Sequence, residues 1–136
     1  MNCLLDTNVV SELFKKAPHE GVIRWMNAAD QDSLFLSVLT IGEIRKGIER
    51  MVHGDRKARL VTFLEKDVQV QFEGRILPID LSIAETWGTL EAHAGRPLPP
   101  VDALLAATAI VHNLSLVTRN IKHFSFAQLR LLDPWS

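Results

Sequence analysis

Pro100-Val101-Asp102-Ala103-Leu104-Leu105-Ala106-Ala107-Thr108-Ala109-Ile110-Val111, followed two residues later by Leu114-Ser115-Leu116-Val117-Thr118, is the stretch on which the fold turns. Its first part is rich in Ala and Leu, which favour helix, and predicts a helix over Val101–Val111. That helix is apolar nearly all round, so it belongs at the centre of a molecule rather than on its surface. Its second part is a short apolar run, predicted as a strand over Leu114–Thr118. Strands that are apolar without alternation are those of a parallel sheet, covered on both faces.

The pattern repeats outward from there. Cys3-Leu4-Leu5 is a short buried strand. Val9–Lys16 reads as a helix that stops before Pro18. Glu20–Ala29 reads as another, with Val22, Ile23 and Met26 on one face. Leu34–Leu39 is β-prone. Ile41–Met51 carries Ile41, Ile44 and Ile48 at helical spacing, and Arg56–Phe72 is a further helix with Leu60, Phe63 and Leu64 inward. Ile76–Ile79 reads as a strand. Ser82-Ile83-Ala84-Glu85 has the spacing of a capping box that opens a helix to His93. Gly95–Pro100 is a rigid loop, and Leu129–Leu132 is a last short strand before Asp133-Pro134. Strands separated by helices imply parallel neighbours joined by right-handed crossovers. The expected fold is α/β: a three-layer α/β/α sandwich around a mainly parallel sheet of about four or five strands.

The chain has 136 residues, which suits one domain over 1–136. Apolar residues make up 47% and charged residues 23%, which excludes a disordered chain. No apolar stretch is long enough to span a bilayer, and the opening residues do not form a signal peptide. The single cysteine, Cys3, has no internal disulfide partner and reads as a small buried side chain, so a cytoplasmic location is expected. Net charge is −1, so bulk charge gives no support for a nucleic-acid binder. Arg45–Arg59 differs locally, with six basic residues against two acidic ones. It is either a solvated helix face or a phosphate-attracting surface.

In open α/β sheets, ligands bind at the carboxyl ends of the strands. Asp6-Thr7-Asn8 follows the first predicted strand. Thr40 follows the second, with Glu43 one turn on. Asp80 follows the third, and Arg119-Asn120 the fourth. Asp102 lies in the first turn of the central helix. In a parallel sheet these groups converge on one rim. Crowded carboxylates repel one another, and a divalent cation resolves the conflict. An oxygen-only ligand set suits Mg²⁺ or Mn²⁺ rather than zinc. Each acid also has a purely structural reading: Asp6 as a helix cap, Thr40 with Glu43 as a capping box, Asp102 as a complement to its helix dipole, and Asp80 as a structural residue.

Leu4–Glu12, Ser37–Ile48, Pro100–Ala109 and Leu116–Asn120 with Phe124 resemble, in order, the four motifs of PIN-domain ribonucleases. The ending Leu131–Trp135 is also similar. The likeness covers nearly the whole chain and extends to the VapC/FitB-like toxins of bacterial toxin–antitoxin pairs. It implies a metal-dependent endoribonuclease with Asp6 and Asp102 as metal ligands. Glu43 would bind a second metal or hold a metal-bound water, and Asn120 would position water or substrate. Thr7, Asn8 and Thr40 would orient the carboxylates. The implied partners are RNA, a second copy of the chain and a small antitoxin that sets a basic side chain against the acids, with DNA reached only through the antitoxin complex. Arg45, Lys46 and Arg50 are the expected RNA contacts, because they run on from Glu43.

One departure stands out. Many relatives carry an acid just before the aromatic of the fourth motif; here His123 precedes Phe124, and the Thr-x-Asp place holds Asn120. The implied site then holds one metal tightly and recruits a second with substrate. His123 reads either as a surface residue or as a phosphate contact. The missing acid also supports an alternative, a catalytically weak PIN-like module that binds RNA or a partner. A third reading, a phosphatase with Asp6 as nucleophile, wants an acid two residues on and meets Asn8 instead. His19, His53, His93 and His112 have no metal-like spacing, and Trp25, Trp87 and Trp135 read as core or interface.

Overall fold

The structure, a computed structural model, describes residues 1–136. Five strands, β1 (Cys3–Leu5), β2 (Leu34–Ser37), β3 (Ile76–Leu77), β4 (Ser115–Val117) and β5 (Leu131–Leu132), form one sheet in the order β3-β2-β1-β4-β5. Every pairing is parallel, with Leu4 of β1 opposite Phe35 of β2 and Leu116 of β4.

The sandwich follows from alternation along the central strand. Cys3 and Leu5 point into one core, where they meet Val9, Val10, Ile44, Ile48 and Leu64. Leu4 points into the other, against Leu105, Ala106, Leu116 and Phe124. The first core is covered by α1 (Thr7–Glu12), α2 (Glu20–Ala28), α3 (Val38–Glu49) and a long helical segment, α4 (Asp55–Thr62). That segment runs on through a π turn (Phe63–Asp67) into α5 (Val68–Gln71). The second core is covered by α7 (Pro100–Val111), which packs against α6 (Leu81–His93). Six α7 residues from Ala103 to Ala109 are buried, as a helix without a polar face requires. No helix of the structure is long and apolar enough to cross a membrane.

Several expected boundaries move, each for a local reason. β2 ends at Ser37, whose hydroxyl accepts from the Leu39 N–H and caps α3. The capping box proposed for Thr40 and Glu43 is therefore wrong: both lie inside α3. The box proposed for Ser82 is also wrong, because Asp80 caps α6 by accepting from the Ile83 N–H at 3.0 Å. α1 starts at Thr7 rather than Val9, because Asp6 is its cap, and it ends at Glu12. There the Glu12 carboxylate accepts from the His19 N–H at 3.0 Å and pairs with Lys15 at 3.0 Å, and these bonds hold its pKa low. α7 terminates where Asn113 takes a left-handed φ of 55°, a conformation Asn tolerates better than most residues. Two short 3₁₀ turns, Gln31–Ser33 and Ile121–Phe124, carry no apolar periodicity and were not expected from the sequence.

Candidate active site

Asp6 is the first residue beyond β1, and its N–H donates to the Val117 carbonyl at 2.9 Å, so the rim is tied to the sheet at this point. The residue is 7% exposed, and its carboxylate is held at both ends. Oδ1 accepts from the Thr7 N–H at 2.7 Å, and Oδ2 from the Thr118 hydroxyl at 2.8 Å. The Asn8 amide lies 3.4 Å from Oδ2. The structural reading of Asp6 holds: it caps α1, and the same bonds fix its carboxylate at the rim.

Glu43 stands one and a half turns into α3, where the Thr7 hydroxyl donates to its Oε1. The buried Thr40 hydroxyl lies 3.4 Å from that of Thr7 and supports it from below. Asp102 occupies the first turn of α7, with Pro100 pre-setting the helical backbone at its start. The His123 ring stands beside its carboxylate, with Nδ1 3.8 Å from Oδ2.

The electrostatics show that these acids share one field. Burial pushes the Asp6 pKa up, and the nearby Glu43 pushes it further, against the hydrogen bonds from Thr118 and Thr7. Asp102 is raised by burial and then by Asp6 and Glu43, with His123 acting the other way. For an acid raised in the fold, the stabilising contribution is complete below the ordinary carboxylate range and is lost as pH rises through the folded-state pKa. Once ionised, the pair is a cost to the fold, and a cation placed among the acids would offset it. The donor set fits a hard divalent ion, since it is made of carboxylate oxygens. The acids are coupled electrostatically without closing into a cage: no three His, Cys, Asp or Glu side chains lie together in ligating positions.

Thr118 is the participant that sequence reading missed. It stood at the end of a predicted strand and within the fourth motif with no role of its own, yet it is fully buried, donates to Asp6 and accepts from the Asn120 N–H at 3.0 Å. The signal available was its place at the carboxyl end of a central strand, two residues before Asn120. The Asn120 side chain is exposed on the same rim. The expected RNA contacts lie along α3 beyond Glu43, and Arg45 is not a free cation: it pairs with Glu65 at 2.8 Å and Glu49 at 3.9 Å. Lys46 and Arg50 are exposed.

A parallel sheet with a buried carboxylate after its central strand and two more acids beside it defines a class of α/β protein built around an acidic rim. Comparison with known proteins makes the assignment specific. Residues 3–129 match the model of the PIN domain, and the chain belongs to the PIN domain family. It is 36% identical over 135 residues to VapC ribonuclease Y4jK of Sinorhizobium fredii, covering 97% of this chain and 96% of that protein. It is 34% identical over 135 residues to Toxin FitB of Neisseria gonorrhoeae, covering 97% of each. A structure of FitAB bound to an IR36 DNA fragment superimposes with a TM-score of 0.92 at 32% identity, covering 98% of this chain and 96% of that one.

Proposed function

We propose that this chain is an endoribonuclease that hydrolyses RNA phosphodiester bonds as the toxin of a toxin–antitoxin pair, with Mg²⁺ or Mn²⁺ held by Asp6, Asp102 and Glu43. The observation that carries the reading is the convergence on one rim of three acids, two of which are raised by burial and mutual repulsion. The names of the relatives support the choice of RNA and of a toxin.

When bound, the ion supplies water of lowered pKa and offsets charge gathering on the phosphate. The protein's own residues do the positioning. Thr118 and the Thr7 N–H fix Asp6, and the Thr7 hydroxyl turns Glu43 toward the rim. Asn120 orients water or the RNA. No protein nucleophile is needed, and Cys3 is buried in the core. A phosphatase using Asp6 is disfavoured, because Asn8 occupies the place of the required acid and its amide faces Asp6. The antitoxin inhibits by presenting an Arg to the same acids, a guanidinium taking the place of the metal. The toxin acts in the cytoplasm as a homodimer and reaches DNA only through the antitoxin.

One observation favours the second reading, a catalytically weak binding module: the acids do not form a closed cage, and His123 stands where a fourth acid is expected. A cleavage assay on total RNA, with the fragment ends mapped, separates the two. Cleavage requires Mg²⁺ or Mn²⁺ and stops in excess EDTA, by at least about 10³-fold, or roughly 4 kcal/mol of barrier. Cleavage that persists in EDTA contradicts the metal mechanism, and a protein that binds RNA without cutting it supports the module.

A further inference from the structure

We infer that Arg119 and Lys122, with His123 beside them, anchor a phosphate of the RNA next to the acids. This inference rests on the ribonuclease reading and names the surface by which that site holds its substrate. A cleft of about 290 Å³ opens on the rim just beyond β4, lined by Arg119, Asn120, Ile121, Lys122, His123 and Asp133. Two of those side chains, Arg119 and Lys122, carry a positive charge. The one acid, Asp133, is already engaged, since its Oδ1 accepts from the Trp135 N–H at 2.8 Å.

The cleft is built in register with the acids. The Thr118 hydroxyl that donates to Asp6 also accepts from the Asn120 N–H, so one side chain fixes both the carboxylate and the cleft wall. The Arg119 N–H points to the Asn8 side-chain amide oxygen, Oδ1, at 3.4 Å, and the amide nitrogen of the same Asn8 lies 3.4 Å from Asp6 Oδ2. The Arg119 guanidinium lies over the Trp135 ring, 5.5 Å from its centroid, which restricts a long side chain in advance of binding. His123 faces both sides: it lines the cleft and reaches within 3.8 Å of Asp102.

Charge gives the reason for the arrangement. A polyanion approaching three carboxylates is repelled, and one divalent ion leaves part of that charge uncompensated. Cations beside the acids remove the remaining penalty and set the scissile phosphate in register. Arg45 does not serve in this way, because Glu65 and Glu49 already neutralise it.

The test is fluorescence anisotropy with a labelled single-stranded RNA of about 12 nucleotides, using the full chain throughout in an Asp6→Asn background that does not cut the probe. The expected result is that Arg119→Gln with Lys122→Gln weakens binding at least tenfold. The slope of log affinity against log salt also falls by about 1.4, the loss of two single-strand phosphate contacts. The charge-preserving pair Arg119→Lys with Lys122→Arg keeps the slope, which a merely structural role would not predict. If the double Gln variant does not fold, Lys122→Glu, at an exposed position, carries the same expectation in affinity and salt slope. Unchanged affinity and slope in the Gln variants overturn the inference, as does a loss that falls instead on Arg45→Gln with Lys46→Gln and Arg50→Gln. A background chain that binds no RNA at low salt overturns the ribonuclease reading, and this anchor with it.

Discussion

Asp6→Asn is expected to lower RNA cleavage by at least about 10³-fold, equivalent to roughly 4 kcal/mol of transition-state stabilisation, while leaving the fold intact. The two halves of that expectation come from different atoms. Oδ1 accepts from the Thr7 N–H and caps α1, and an amide oxygen in the same place still accepts that bond. Oδ2 accepts from the Thr118 hydroxyl, and an amide nitrogen there turns the acceptor into a donor and removes the charge. Removing that charge also relieves Asp102, whose pKa Asp6 raises. Circular dichroism and a melting curve report the fold, and a timed assay on a defined RNA reports cleavage. Residual activity within tenfold of the parent would show that the carboxylate of Asp6 is not part of the reacting site.

Phe124→Ala is expected to cost about 3–5 kcal/mol, the range for emptying a buried aromatic position, and to lower the melting temperature by roughly 10–15 °C. Phe124 is fully buried among Leu4, Leu105, Leu116 and their neighbours and ends the 3₁₀ turn that carries Lys122 and His123. It is the peg that holds this part of the rim against the second core. Phe124→Leu keeps much of the volume and should cost less than half as much. Scanning calorimetry of the two variants checks the difference; a shift of only a degree or two for the alanine variant would mean that the turn is not pinned through this ring.

The parts of the molecule that could be read from sequence are those where one physical requirement acts alone. α7 was legible because a helix with no polar face has only one place to go, and β1 because Cys3-Leu4-Leu5 must be covered on both sides. Strands alternating with helices left little choice but a parallel sheet, and that sheet delivers Asp6, Glu43 and Asp102 to one rim. Legibility failed where two residues compete for one task. Ser37 and Thr40 can each cap α3, and Asp80 and Ser82 can each cap α6. The outcome depends on where the preceding strand lets go, which local pattern does not encode. Thr118 was missed for a related reason: a buried hydroxyl at a strand end looks like an ordinary β-former until its partner, 112 residues away in sequence, is placed beside it. The pairing of Arg45 with Glu65 was not legible in the sequence, because Glu65 lies on a different helical segment.

The position of His123 sets it beside two of the candidate acids. It lies 3.8 Å from Asp102 and opposes the pKa rise of both Asp6 and Asp102. A fourth acid in that place would deepen the repulsion and the demand for a second ion.

Calorimetric titration of the RNA-free chain with Mn²⁺ at neutral pH, beside Asp102→Asn, tests the shared carboxylate site most directly. A saturable site in the parent chain, weakened at least about tenfold (1.4 kcal/mol) in the variant, is the predicted result. Equal Mn²⁺ affinity in the two proteins, or no saturable binding in either, would contradict it.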